Sequence, residues 1–248
     1  GVVSGRGDTC LVALTADLSG VGTLDVTRAD LGVGLAWEAV YRQSPRAPLV
    51  CRGCGSTMGA RRSKLGNPFF FHLKRSSSCA LGGETPEHRA LKEHLARAIR
   101  AAGWDAAVEA TGSGTSPWRA DVLGTAPDER QVAWEVQLAP ITVDEVRRRT
   151  DNYRAAGIEI CWVTTAERDW LGSAPYVLVS SPPSFDVLEG VWRFEPDFCE
   201  DRGCCGWAIE NTSVVSRRLN SGVPVRPCTG HGEWTPVVRP LALVVEYV

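Results

Sequence analysis

The sequence predicts a mixed α/β (α+β) core, and three observations predict it. Between Pro86 and Thr164 the apolar pattern reads helix, three strands, helix, strand, an order that suits a mixed sheet covered by helices. The helical stretches repeat their apolar residues at three- and four-residue spacing, while the strands alternate or form short apolar runs. The chain of 248 residues is 44% hydrophobic and 23% charged, which is enough to bury a core.

The first fifty residues read as β-rich. Leu11–Ala16 and Leu35–Tyr41 are apolar or alternating, with Gly20, Gly22, Gly32 and Gly34 as breakers. A basic, Gly/Ser-rich, cysteine-bearing segment follows to about Gly83. Thr85 can cap a helix that opens at Pro86. Its stripe is Leu91, Leu95, Ala98, Ile99 and Ala102, and Gly103 ends it. Asp105–Ala110, Trp118–Leu123 and Gln131–Leu138 read as strands. Thr142 with Glu145 gives a capping-box pattern for a second helix that stops at Gly157. Ile158–Thr164, Tyr176–Ser180 and Leu241–Val248 read as further strands. The expected division is a β-rich N-terminal region over 1–80, a core domain over 81–170 and a Cys-containing C-terminal extension over 171–248.

Cysteine usage points to metal. Nine cysteines is an odd number, so complete pairing within the chain is impossible. The first residues, Gly1-Val2-Val3-Ser4, lack the basic and apolar regions of a secretory signal, and a cytoplasmic location is expected. Metal binding is then favoured over a disulfide framework. Cys51-Arg52-Gly53-Cys54 can place two thiolates at one tetrahedral corner. His72 and Cys79 are the nearest partners, which gives a three-cysteine, one-histidine structural Zn2+ site with Phe69-Phe70-Phe71 as its small core. A second zinc site from Cys199, Cys204 and Cys228 with His231 is a weaker expectation, because its spacing is irregular; Cys205 lies beside it. Cys10 and Cys161 sit in apolar runs and read as core residues.

The formal net charge of −2 excludes a uniformly basic nucleic-acid coat, but not a local patch. From Cys51 to Gly83 there is no Asp or Glu, while Arg52, Arg61, Arg62, Lys64, Lys74 and Arg75 are positive. Arg61, Arg62, Lys64, Lys74 and Arg75 are therefore nucleic-acid-binding candidates, joined by Arg119 and Arg149. A solvated loop is the alternative reading. No apolar run approaches the length of a membrane helix.

An acidic constellation carries the expected chemistry. Alternation places Asp121 on one face of its strand with Arg119 and Leu123, and Glu135 with Gln131, Ala133 and Gln137 on one face of the next. Polar groups inside a sheet are costly unless paired, and a hard divalent cation is one such partner. Asp121 and Glu135 would hold Mg2+ (or Mn2+) for phosphodiester cleavage, with Gln137 orienting water or a phosphate oxygen. His88 falls in the middle of the Leu91–Leu95–Ile99 stripe and points towards the sheet. Glu87 is adjacent and Lys92 is one turn on. The alternatives are a core-edge histidine and solvated helix charges, Glu84 and Glu87 suiting a helix N-terminus for dipole reasons alone. Arg149 and Tyr153, at i and i+4, read as a packed aromatic with an arginine over it.

These residues resemble the competence protein CoiA family, whose nuclease-like domain belongs to the PD-(D/E)xK superfamily. The resemblance spans roughly Leu35 to Thr165. It rests on Cys51-x2-Cys54, Phe71-His72, Glu84-Thr85-Pro86-Glu87-His88 with Lys92, Arg119-Ala120-Asp121-Val122, Trp134-Glu135-Val136-Gln137, and Arg149-Thr150 with Tyr153. It implies a restriction-endonuclease-like mixed sheet flanked by helices, preceded by a zinc-ribbon-like module. It implies Asp121 and Glu135 as metal ligands, and a role near DNA uptake or processing. Gln137 stands where the superfamily commonly has lysine, and Lys92 could supply the missing charge.

The expected function is therefore a divalent-metal-dependent nuclease acting on DNA in preference to RNA, with protein partners in a DNA-processing complex. The alternatives are a catalytically inactive, zinc-stabilised nucleic-acid-binding adaptor, and a structural role in which the polar face is a protein interface.

Overall fold

The computed structural model describes residues 12–64, 66–74, 79, 84–112, 117–190, 192–196, 232–236, 241, 244 and 245. Two compact units divide at Arg89/Ala90. The boundary falls in the first turn of a continuous helix, and that turn is described here with its helix.

The first unit is built on an antiparallel sheet. Its strands are β1 (Val12–Ala13), β2 (Thr15–Leu18), β3 (Gly22–Asp25), β4 (Leu49–Val50), β5 (Thr57–Arg62) and β6 (Pro68–His72). Their order is β1-β6-β5-β4-β2-β3. Ala13, Ala16, Leu24, Trp37, Leu49, Met58 and Phe70 form its buried core, together with Cys51 and Cys79. Leu35–Tyr41 is not the expected strand: Trp37–Ala39 is a 3-10 helix. Three-residue spacing explains this, because a 3-10 turn brings i and i+3 to one side. Trp37 and Val40 are both buried that way, and Trp37 meets Phe70 at 5.6 Å and Tyr41 at 5.7 Å between ring centroids.

In the second unit the elements are α1 (Pro86–Ala101), β7 (Asp105–Gly112), β8 (Trp118–Thr125), β9 (Gln131–Val136), α2 (Val143–Ala155), β10 (Glu159–Thr164), β11 (Tyr176–Val179) and β12 (Val187–Glu189). They form a mixed sheet of order β12-β11-β10-β9-β8-β7. β9, β10 and β11 run parallel, whereas β7, β8 and β12 are antiparallel to their neighbours. The architecture is α+β, and the expected helix–three strands–helix–strand order is present.

Each helix begins and ends as its sequence dictates. Thr85 Oγ1 accepts the His88 N–H at 3.1 Å, and Gly103, at φ 84°, ends α1. Leu91, Leu95 and Ile99 are fully buried. A Cβ at Gly124 would lie 3.3 Å from Ile99 Cγ2, so this glycine admits the helix close to β8. Thr142 Oγ1 caps α2 by accepting the Glu145 N–H at 3.2 Å. Glu145 does not complete the capping box; its carboxylate pairs with Arg148 at 2.7 Å. Val146 and Tyr153 of α2 pack with Ala133, Ile160 and Trp162, and Trp162 Nε1 donates to Thr150 Oγ1 at 3.1 Å. Replacing Thr142 by Ala should destabilise the second unit by about 0.5–2 kcal/mol, measurable as a shift in urea midpoint at constant slope.

A two-stranded ribbon pairs β13 (Trp192–Pro196) with β14 (Gly232–Pro236), with Phe194 opposite Trp234. Of the expected strand Leu241–Val248, the described residues Leu241, Val244 and Val245 are buried but lie in turn and 3-10 conformation. The Val244 N–H turns back to Leu241 O at 3.0 Å, a local bond that replaces a ladder partner. Cys10, Arg75, Cys199, Cys204, Cys205, Cys228 and His231 lie outside the described residues. Cys161 is buried in β10, as expected. Among the described residues no helix is long and apolar enough to cross a membrane.

Candidate active site and metal centre

The Cys3His cluster forms where three strands of the first unit end. Cys51 follows β4, and the turn to Ser56 closes with Gly55 N–Cys51 O (2.8 Å) and Cys51 N–Ser56 O (2.9 Å). Gly55 takes φ 69° there, a left-handed conformation that glycine adopts without Cβ strain. His72 ends β6 opposite Met58, and Cys79 returns to the same point. Cys51 Sγ lies 3.6 Å from Cys79 Sγ, and Cys54 Sγ lies 3.4 Å from His72 Nε2. The four ligand atoms all lie within 4.8 Å of one another. A tetrahedral zinc with Zn–S near ~2.3 Å and Zn–N near ~2.0 Å requires edges of about 3.5–3.8 Å, so this donor set fits zinc. Burial pushes the Cys51 thiol up to about 12, while the Ser56 hydroxyl draws Cys54 down to about 5. Phe70 belongs to the core beneath, but Phe69 and Phe71 are only half-buried.

The second cluster gathers around Asp121. Pairing of β8 with β9 ends at Val122↔Trp134, one step short of Asp121 and Glu135. There the Val136 N–H is taken by Asp121 Oδ2 at 3.0 Å. On its other side Asp121 lies opposite Glu109, which has φ 53° within β7. Glu109 is buried and accepts from Lys92 Nζ at 2.9 Å; the same ammonium is 3.9 Å from Asp121 Oδ1. Arg119 Nη2 stands 4.0 Å from Glu109 Oε1. Breaking a buried pair leaves an uncompensated charge at a cost of roughly 3–5 kcal/mol. Glu109→Leu should therefore lower stability by that order in denaturant unfolding, and Lys92→Met/Glu109→Leu should recover most of it.

At the start of α1, Arg89 Nη1 donates to Glu84 O at 3.0 Å. Carboxylate oxygens such as those of Asp121 and Glu135 suit Mg2+ or Mn2+. Glu135 is buried and bonds to Arg149 and to the Tyr153 hydroxyl, which also lies 2.6 Å from Arg119 O. Burial, then the Asp121 charge, push the Glu135 carboxyl up to about 7, against the pull of Arg149 and Tyr153.

Of the sequence candidates, the structure sets Lys92 beside Asp121, with Glu135 on the adjoining strand; His88 is half-buried in the first turn of α1. Glu87 is exposed. Gln137 bonds within its own loop, Nε2 to Ala139 O at 2.7 Å. Arg149 pairs with Glu135 and lies 4.9 Å over the ring of Trp162, where the packed-aromatic reading set it over Tyr153. Arg61, Lys64 and Lys74 are exposed, and Arg62 pairs with Glu38 at 3.1 Å. Sequence reasoning missed Glu109. A lone carboxylate inside the apolar run Ala106–Ala110 is the signal that marks it.

Residues 84–174 match the family model described as Competence protein CoiA, nuclease-like domain. The match begins at Glu84, after the cysteine segment, and ends beyond β10. No curated protein and no solved structure matches the chain.

Proposed function

We propose that this chain is a divalent-metal-dependent nuclease that hydrolyses phosphodiester bonds, DNA being the preferred substrate, and that its active site is the Asp121 cluster of a domain spanning about 81–170. The single observation that carries the reading is the carboxylate pair Asp121 and Glu135, one step beyond the end of the β8–β9 ladder at Val122↔Trp134, with Lys92 Nζ 3.9 Å from Asp121 Oδ1, in a stretch that matches a nuclease-like family model. A bound Mg2+ or Mn2+ would polarise the phosphoryl oxygen and lower the pKa of a bound water. Asp121 and Glu135 are the residues that would hold it.

The remaining residues set charge and position. Lys92 brings a cation to Asp121 from the helix, which substitutes for the charge that Gln137 lacks. Glu109 pairs that buried ammonium at 2.9 Å, which offsets the cost of taking the charge out of water. Val136 N–H fixes the Asp121 carboxylate, leaving its other oxygen towards Lys92. Arg149 and Tyr153 fix Glu135 within the site.

A second reading, a zinc-stabilised nucleic-acid-binding adaptor without turnover, is favoured by one observation. The Glu135 carboxylate and the Gln137 amide are both engaged in protein bonds. The two readings separate when single- and double-stranded DNA and RNA are incubated with the protein in Mg2+ or Mn2+. The nuclease reading expects metal-dependent fragments, with DNA cut faster than RNA. Salt-sensitive binding with no fragments in either metal contradicts it and supports the adaptor.

A further inference from the structure

The first unit carries a cleft that neither metal cluster uses. It is about 220 Å³ in volume and is lined by Arg42, Gln43 and Arg46 on one side and by Leu49, Gly59 and Phe71 on the other. Its lining holds no Asp or Glu. Among the described residues neither Arg42 nor Arg46 forms an ion pair; Arg42 lies 4.9 Å over the Tyr41 ring. Arg42 also has φ 55°, a backbone conformation that ordinarily selects glycine or asparagine.

The apolar wall follows from the sheet. Alternation along β6 buries Phe70 and turns Phe69 and Phe71 to the opposite face. Phe71 faces Gly59 across the ladder, and a Cβ at Gly59 would lie 2.8 Å from the Phe71 ring. The missing side chain therefore lets the ring lie over the neighbouring strand. Arg61 stands 5.6 Å over the same ring. Aromatic side chains on an outer sheet face, with unneutralised guanidinium groups beside them, are the two components of a single-strand platform: bases stack on the rings and phosphates meet the cations.

We infer that this cleft binds one nucleotide of a single-stranded nucleic acid, its base against Phe71 and its phosphate on Arg42 and Arg46. The inference shares with the proposed function the premise of a nucleic-acid ligand, but not the premise of catalysis. A duplex does not satisfy the cleft, because its base faces are stacked away from side chains. The site also supplies what the Asp121 cluster lacks, a cationic anchor not spent on a protein carboxylate.

The test measures binding without turnover. Full-length protein carrying Asp121→Asn is titrated with a fluorescein-labelled thymidine oligonucleotide, and with a duplex of equal length, by fluorescence anisotropy. No divalent cation and no chelator is added, so bound zinc is retained. The single strand should bind tighter than the duplex. Arg42→Ala/Arg46→Ala should weaken single-strand binding and flatten its log–log salt slope by about 0.7, one phosphate's worth. Phe71→Leu should weaken it roughly five- to hundredfold without changing that slope. Both arginines are exposed, so circular dichroism and zinc content should match the parent. Single-strand affinity that the double arginine variant leaves unchanged overturns the inference. So does equal weakening of duplex and single strand by Phe71→Leu. Neither result touches cleavage by the parent protein, and absence of cleavage leaves this binding intact.

Discussion

Asp121→Asn should lower metal-dependent cleavage by more than about 100-fold while leaving the fold intact. The magnitude follows from its position. Residues that merely orient a metal ligand typically cost 10–100-fold when changed, and Asp121 is itself a proposed ligand. The preserved fold follows from the substitution. Asparagine keeps a carbonyl oxygen that can still accept the Val136 N–H now bonded at 3.0 Å. It removes the charge that faces Lys92 at 3.9 Å, but Glu109 still pairs that ammonium at 2.9 Å. The expected phenotype is thus lost turnover with an unchanged unfolding midpoint. Cleavage by the variant at the parental rate would rule the site out.

Cys54→Ser should remove one equivalent of zinc per chain and destabilise the first unit. The donor pairs Cys51–Cys79 at 3.6 Å and Cys54–His72 at 3.4 Å are close to tetrahedral edges, and Cys51 and His72 lie at the ends of two strands of one sheet. Cys51 and Cys79 are also members of the apolar core. Zinc bound here would therefore not hold a free-standing knuckle, as the sequence alone suggests; it would pin β4, β6 and Cys79 to a core that already exists. Loss of even ~3 kcal/mol would lower the melting temperature of a domain this size by more than about 10 °C. Metal analysis gives the stoichiometry, and a thermal scan followed by circular dichroism gives the shift. An unchanged zinc content would show that this cluster is not the zinc site.

What the sequence made legible was whatever a local pattern encodes. The stripe Leu91–Leu95–Ile99, the caps at Thr85 and Thr142 and the stops at Gly103 and Gly157 each follow from neighbours a few residues apart. The cysteine cluster was legible because two-residue spacing and a short return to His72 and Cys79 leave few partners. Leu35–Tyr41 was misread because Trp37 and Val40 suit a 3-10 turn as well as an alternating strand, and only Phe70, far along the chain, decides between them. Glu109 was marked only as a lone carboxylate in an apolar run. Its importance depends on φ 53° in β7 and on Lys92 arriving from α1, neither of which spacing reveals. Alternation pairs Asp121 with Glu135, but does not reveal the bonds that Arg149 and Tyr153 of α2 make to Glu135.

The most direct test of the account is a Mn2+ titration followed by electron paramagnetic resonance, on zinc-loaded protein without substrate. The free-ion signal should fall until one Mn2+ is bound per chain. Asp121→Asn and Glu135→Gln should each abolish that binding while zinc content stays at the parental value. Binding that both variants retain, or no Mn2+ binding by the parent, would contradict the claim that Asp121 and Glu135 together grip a divalent cation.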